Sequence, residues 1–581
     1  MNNSRVAIRY GDVAPEAKEN FFPDTSDKAS FVDLSELQQY NLNMPNYVNP
    51  CELYSVVLDG EASAFPSAPE DANLGWWSNQ ISNDDGVFAE PIVLTLTSNG
   101  RYSSSGFTFT FDKYNQIYPT HLNIHWYRGS VDLGQMDFYP DNAFYSCLNR
   151  VESFDKVVIT FTALNMPKNR LKLRVIDYGY GTFFYGDELR KVKLIQQIDP
   201  ISSEIAINTA DFTFDSNTDF DYSFQAKQPL NIYFNGELKA TTFVKSAKRK
   251  SKTLWQIQSE DYIGLLDSVP FYGGIYTKKN VIELMSEIFT MAKVPFNISA
   301  VFSNEVVTGY IPYTTCREAL MQVAFAVQAV VDTSNSESVE VYALDDEVKQ
   351  LIPLKRIMQG QNFVDEDIVT SVEVTSHAYS PTTEIMDAYK AEDDGVGENI
   401  FVTFSEPLYD LTITNGTIVS RGTNYAIINA NAGCVLTGKK YEHTTSTHRK
   451  NNPNTLASDL EKVVAVNNAT LVSVSNVDKV LQKCYNWLTN NNKINLKIIE
   501  GKHDAEGGVV LYGTARYGEF LYGGLGKSTR AGELFDTPVN CGEVITTATE
   551  YLGNITGRII KQTFNLNGGI IIKDTVMSQG V

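Results

Sequence analysis

With 581 residues, 43% hydrophobic and 20% charged, the chain has the composition of a folded protein and the length for about four domains. Its 48 Lys and Arg against 69 Asp and Glu give a formal net charge of −21. That balance argues against a sequence-reading nucleic-acid binder and against docking on anionic lipid, since both need a basic face. No run approaches the ~20 apolar residues that cross a bilayer, and Met1-Asn-Asn-Ser-Arg5 opens no secretory apolar segment. Synthesis in a cytoplasm without membrane anchoring is expected.

The six cysteines, Cys51, Cys147, Cys316, Cys434, Cys484 and Cys541, are widely spaced and form no CxxC. Zinc-ribbon and thioredoxin readings have no support, and free, buried thiols are expected. Tyr (31), Phe (31) and Trp (5) together make up 12% of the chain. Aromatics favour half-buried pleated surfaces and interfaces, so a β-rich assembly protein is expected.

Residues 1–50 are polar and broken by Pro15, Pro23, Pro45 and Pro50, which predicts an extended arm with little core of its own, placed to hug a neighbouring domain or a neighbouring subunit. From 51 to 190 short alternating strands dominate: Phe107-Thr-Phe109-Thr-Phe111, Leu122-Asn-Ile124-His-Trp126, Val157–Phe161 and Leu171-Lys-Leu173-Arg-Val175. Turn residues separate them, which reads as a β-sandwich. Residues 191–270 give a second β-rich run, with strands expected at Ile205–Ile207, Phe212–Phe214, Leu230–Phe234 and Leu254–Ile257 and a hairpin turn at Asn235-Gly236.

Residues 271–364 carry two helices. In Thr277–Val294 the apolar positions Val281, Leu284, Met285, Ile288 and Phe289 recur at helical spacing, and Pro295 is expected to stop them. Thr315-Cys-Arg-Glu318 is a capping box, followed by the stripe Ala319, Leu320, Val323, Ala324, Val327 and Val331. Residues 365–581 return to strand, with a helical insertion at about 475–490 ended by Asn490-Asn-Asn492. The acidic stretch 391–398 and the polar stretch His443–Ser458 read as solvated loops. Tyr512-Gly513, Tyr517-Gly518 and Tyr522-Gly523 recur every five residues within a loop at 511–526. Such pairs place aromatic anchors on an adaptable backbone, so Tyr512, Tyr517 and Tyr522 are candidate partner contacts; a surface loop that packs its own rings is the other reading.

Catalytic signatures are missing from the sequence: there is no G-x-S-x-G, no H-E-x-x-H and no P-loop. His121 and His125 share one face of a strand, too few ligands for a structural zinc, and read as surface or interface histidines. No catalytic residue, cofactor or metal site is expected, and a cell-wall hydrolase has no motif in its favour.

The segment Thr308-Gly-Tyr-Ile-Pro312, Thr315-Cys-Arg-Glu-Ala-Leu320, Ala324-Phe-Ala326 and Val330-Val-Asp-Thr-Ser334 resembles the hub protein family of phage tails and related injection devices. Asp199–Thr209, Ala469–Ser473 and Asn567–Ile570 agree with it in order, so the likeness covers about 191–581. Trp76-Trp77-Ser78, Ser82–Phe88 and Tyr102–Phe109 resemble a galactose-binding-type jelly roll fused ahead of such hubs, and Trp76 and Trp77 join the candidate partner contacts.

The resemblance implies a mainly β protein with a minor α/β part. An N-terminal jelly-roll β-sandwich would precede a hub of two tube-like β-barrels, at 191–270 and 365–581, joined through an α/β segment at 271–364. It implies a non-enzymatic homotrimer at the tip of a virion tail. Six barrels per ring would adapt the six-fold tail tube to a three-fold central spike or tail fibre. The implied partners are the tail tube or distal tail protein, the spike or fibre, the tape measure protein, and DNA that passes without specific binding. The alternative is a host-glycan-binding tail protein acting through the sandwich.

Overall fold

The computed structural model describes residues 6–578 apart from 14–16, 18–19, 39–45, 48–51, 54–61, 64–73, 186–187, 217–226, 235–236, 353–356, 358–361, 365–366, 392–395, 457–459, 491, 500–538, 550–552 and 568–569. The chain is mainly β and divides into two compact units, residues 1–188 with 217–237, and 189–216 with 238–581. The hairpin turn at 235–236 and residues 392–395 of the acidic stretch lie outside the described residues.

The first unit is built from β1 (Val6–Val13), β2 (Phe21–Thr25), β3 (Trp76–Ile81), β4 (Val87–Thr110), β5 (Pro119–Arg128), β6 (Val131–Phe138), β7 (Phe144–Leu164), β8 (Arg170–Leu173), β9 (Val175–Asp177) and β10 (Gly179–Tyr185). Its main sheet runs β9-β4-β7-β5-β6, with β2 also on β4. The short antiparallel pair β3–β8 adds Trp76, Leu171 and Leu173 to the same core as Phe107, Phe109, Ile124, Trp126 and Phe161. Long β4 and β7 bend at register shifts. At Gly106 (φ +150°) a Cβ would stand 2.1 Å from the Cys147 carbonyl oxygen, so only glycine lets the strands approach there.

The described strands of 1–50 dock on the rest of the first unit. Val6, Ile8 and Tyr10 of β1 are buried, β1 pairs with β10 and with strand Pro229–Phe234, and Phe21 of β2 is a core residue. An isolated extended segment would leave its backbone polar groups and these apolar side chains in water, and strand pairing satisfies both.

A buried ionic cluster lies beside Trp77. Lys172 contacts Glu52 at 2.7 Å and Asp112 at 3.3 Å, and Arg170 and Arg174 flank the same two acids. The Lys172 ammonium also sits 4.6 Å from the Trp77 ring centroid, a cation–π arrangement.

The second unit begins with β11 (Leu189–Gln197), β12 (Thr209–Asp215), β13 (Glu237–Arg249) and β14 (Leu254–Glu260). The strand expected at Ile205–Ile207 is absent: Asp199 accepts from Ile201 N, Ser203 Oγ and Glu204 N, folding 199–204 into a turn, and the ladder starts at Thr209. A helical lobe follows: α1 (Tyr262–Asp267), β15 (Gly274–Asn280), α2 (Val281–Ala292), β16 (Val306–Ile311), α3 (Cys316–Val327), β17 (Val330–Asp332) and β18 (Val339–Tyr342). The apolar stripes of α2 and α3 meet in one core.

Two helix ends were misplaced by the sequence pattern. α2 starts at Val281, capped by Asn280, because the preceding residues pair as β15 with β16, and it stops at left-handed Lys293 before Pro295 is reached. Val331, expected on the α3 stripe, lies on β17, after left-handed Gln328 has ended the helix.

The main elements that follow are β19 (Ser371–Lys390), β20 (Gly397–Thr403), β21 (Leu408–Arg421), β22 (Tyr425–Asn451), α4 (Val477–Thr489), β23 (Lys493–Ile499), β24 (Val544–Thr549), β25 (Gly553–Asn567) and β26 (Ile570–Ser578). The polar stretch from His443 is strand as far as Asn451, because β19 supplies an unbroken antiparallel ladder from Ser371↔Asn451 to Pro381↔Tyr441. β22 has 27 residues, or roughly 90 Å at ~3.3 Å per residue, and the outer half of β19 is largely exposed.

The two ends of the hub-like region meet in one sheet. Val192–Gln197 of β11 pair with Lys561–Leu566 of β25, giving the order β13-β14-β12-β11-β25-β26-β23. Strands expected in two separate barrels are thus neighbours, and this order forms no closed ring among the described residues.

Candidate functional site

Tyr512, Tyr517 and Tyr522 lie outside the described residues. Trp76 and Trp77 are wholly buried. The Trp76 indole N–H donates to Ser30 Oγ at 2.8 Å, and that of Trp77 to the Leu74 carbonyl at 3.0 Å. Both rings serve the interior of the first unit and offer no surface to a partner, a correction to the reading of the tryptophan pair. Adjacent residues on a strand point to opposite faces, and here both faces are covered.

The histidines have local partners. His121 contacts Thr162 and Asp137, and His125 contacts Asp132 and Tyr127. Leu122, Ile124 and Trp126, on the opposite face of β5, are buried. His377 on β19 and His443 on β22 face each other with Nδ1 and Nε2 2.9 Å apart. Burial, followed by the His443 neighbour, holds the His377 imidazole below its ordinary pKa. Tyr310 and Tyr379 pack beside this pair, and burial pushes both phenols up to about 12. Among the described residues no group of three or more His, Cys, Asp or Glu is arranged to hold a metal ion. The five described cysteines, Cys147, Cys316, Cys434, Cys484 and Cys541, are buried and free.

What the fold does present is an aromatic surface on the second unit. Phe271 points into the helical core, and the next residue, Tyr272, points out. Gly273 (φ +62°) turns the chain against β16 so closely that a Cβ there would stand 2.2 Å from the Ile311 carbonyl oxygen. Asn424 locks the approach, its Nδ2 donating to the Tyr272 carbonyl at 2.8 Å and the Ile311 carbonyl at 2.9 Å. Tyr272 and Tyr313 are thereby held beside Phe401 of β20 and Tyr425 of β22. The Tyr272–Tyr425 and Tyr313–Phe401 ring centroids are 4.6 and 5.7 Å apart. Tyr272, Tyr313 and Phe401 remain 37%, 38% and 42% exposed. Clustered, half-exposed aromatics held by a rigid backbone have the makeup of a protein–protein contact. The sequence carried two signals for it, Tyr272-Gly-Gly274 and Pro312-Tyr313, but nothing local links them to Phe401 and Tyr425.

No helix among the described residues is long and apolar enough to cross a membrane. No protein-family model and no curated protein matches the chain. Among solved structures, it is similar to the tail protein from Neisseria meningitidis MC58 at 10% identity, covering 67% of this chain and 92% of that one with a TM-score of 0.41. It is similar to the 43 kDa tail protein of prophage MuSo2 from Shewanella oneidensis at 7% identity, covering 68% and 94% with a TM-score of 0.40. It is also similar to prophage tail protein gp18 from Listeria monocytogenes EGD-e at 9% identity, covering 68% and 91% with a TM-score of 0.34. TM-scores below 0.5 mark distant likeness, so the functional reading rests on the chain's own residues.

Proposed function

We propose that the chain is a structural hub of a phage tail or phage-like injection particle. It assembles as a homotrimer, adapts a six-fold tail tube to a three-fold spike or fibre, and lines the channel through which DNA passes. One observation carries the reading. The segment 308–334, whose residues resemble the hub family, folds as a continuous unit: β16, the Thr315 cap, α3 and β17, around one buried core.

Two further features support it. The long strands β19 and β22, exposed over much of their outer parts, and the half-exposed aromatic cluster offer surface to neighbouring subunits. The net charge of −21 suits a wall that lets DNA slide, since a basic lumen would hold phosphates by releasing their counterions. Tyr512, Tyr517 and Tyr522 are retained as proposed contacts with neighbouring tail proteins, and the first unit is assigned the role of connector.

Electron-microscopic averages of the purified protein, with its mass in solution, test the proposal. A three-fold ring with an acidic or neutral central channel is expected. A monomer that persists in assembled particles, or a lumen lined by Lys and Arg, would overturn it.

A further inference from the structure

A cleft of about 700 Å³ opens in the second unit between the C-terminal end of α3 and the first turns of α4. That size lies within the ~300–1,000 Å³ range of small-ligand sites. Ile201, Val306, Leu344 and Trp487 give it an apolar side, and Lys479, Lys483 and Arg558 give it a cationic one. In a chain of net charge −21 this is a local reversal of sign.

The cations are not equivalent. Arg558 is committed to Asp346 and to the carbonyls of Asp345 and Gly542. Lys479 lies 3.9 Å from Glu305. Lys483 has no carboxylate partner among the described residues. Its ammonium donates once, to the Gln328 carbonyl at 2.7 Å, where it caps the carbonyl end of α3. An ammonium carries three donors, so two remain.

The start of α4 has no side-chain cap, although Val477 N–H donates to the Ser473 carbonyl at 3.0 Å and Asp478 stands in the first turn. Asn476, at the cap position, turns its amide away to the carbonyls of Ala326 and Leu471, so no side chain caps the first turn. Ser475 and Asn476 line the cleft, which places this helix N-terminus, with its partial positive charge, in the wall.

We infer that the cleft is a carboxylate-binding site: it takes an acidic group attached to an apolar one, the carboxylate meeting Lys483 and the start of α4, the apolar part lying on Val306 and Trp487. The carboxylate comes from an acidic peptide segment of a partner chain or from a free small acid. A charge-assisted contact to a half-buried ammonium is stronger than one in open water. Burial now pushes Lys483 down to about 8, and a bound carboxylate would raise it again. Lys483 is faced by Cys484 and Lys479 from α4, by Asp199, by Asp346 and Arg558, and across the cleft by Glu305. Burial pushes the Cys484 thiol up to about 12, so it stays protonated while Lys483 titrates. Binding should therefore tighten as pH falls from 9 to 7.

Calorimetric titration of the full chain at low salt tests the site with three probes: acetyl-Leu-Glu-amide, acetyl-Leu-Gln-amide and 4-methylpentanoate. At pH 7 the Glu peptide is expected to bind at least tenfold more tightly than the Gln peptide. Lys483→Met should remove that preference and Lys483→Arg should keep it. Binding of 4-methylpentanoate alone, with the same dependence on Lys483, supports the site and identifies a free acid as its source. Failure of both acids to bind, measurable but equal affinity for the two peptides, or indifference to Lys483→Met overturns it. Should Lys483→Met not fold, acetylation of Lys483 by N-acetoxysuccinimide at pH 8 in the unaltered protein replaces it. Saturating Glu peptide is expected to slow that reaction at least threefold, and an unchanged rate overturns the site. Both measurements use the isolated chain, so their failure is distinct from failure of the hub reading.

Discussion

Lys172 Nζ lies 2.7 Å from Glu52 Oε2 with both side chains sealed from water, at 0% and 1% exposure. A charge pair this deep is held by its partners, and removing one leaves the rest uncompensated. Lys172→Met is expected to destabilise the first unit by ~3–5 kcal/mol. The double variant Lys172→Met/Glu52→Gln should cost less than the sum of its parts, because the two residues share one network. Denaturant unfolding followed by tryptophan fluorescence measures both, since Trp77 adjoins the cluster.

The same cluster sets an acid limit. Burial pushes the Asp112 carboxyl up, but Lys172, Arg174 and bonds from Asn115 outweigh it, and the group ends below its ordinary pKa. A depressed carboxyl binds its proton more weakly in the folded than in the unfolded chain. Its stabilising contribution is therefore complete above the ordinary carboxylate value of 3.8 and is lost as pH falls through the lower folded value. Asp112→Asn should lower stability at pH 7 and flatten the acid side of the melting profile below pH 4. An unchanged acid slope would remove Asp112 from the account.

At the N-terminus of α3, Thr315 Oγ1 accepts the Glu318 backbone N–H at 3.2 Å. The return contact of a capping box is made differently: the Glu318 carboxylate accepts from Thr314 Oγ1. Thr315→Ala is expected to cost ~1 kcal/mol and Thr315→Ser much less. Urea midpoints compare the two, and equal values would show that the cap carries no weight.

Ala324 is fully buried where α3 enters the helical core. Ala324→Leu inserts three heavy atoms into a packed interior, with an expected cost of ~1–3 kcal/mol. A melting temperature unchanged by the substitution would mean that the core yields there.

How far the sequence could be read follows from what each pattern encodes. Periodicity located α2, α3 and α4 because the buried stripe is local in sequence. It could not show that β11 pairs with β25, since no residue in Val192–Gln197 encodes a partner more than 350 positions away. Alternation in Leu171-Lys172-Leu173 correctly gave a strand, but it says which residues share a face, not whether a charged face is covered. Here Glu52 and Asp112 cover it. From His443 to Asn451 the strand is polar on both faces, and backbone pairing with β19 alone defines it, so composition read a loop. The aromatic surface failed to appear for the first of these reasons: Tyr272, Tyr313, Phe401 and Tyr425 come from four separate segments.

That surface gives the last prediction. Tyr272 and Phe401 are 37% and 42% exposed, yet Tyr272 is held in place by Gly273 and the two Asn424 hydrogen bonds, and Phe401 by the pairing of β20 with β22. Rings used only to fill the interior would be covered, as Phe271 is. Rings used for assembly must be exposed before it and buried after it, and their backbone must already be fixed so that little ordering entropy is lost on contact. Tyr272→Ser/Phe401→Ser should therefore leave the melting temperature of the isolated protein within a few degrees while weakening self-association or incorporation into tails. Asn424→Ala should act on both, because it releases the backbone that aims the rings and leaves two buried carbonyls with one donor fewer. Sedimentation velocity across a concentration series, with thermal melts of the same samples, separates the two effects. If the double variant associates as the parent does, the rings are not a contact. If it unfolds, they belong to the core of the second unit and their exposure has no bearing on assembly.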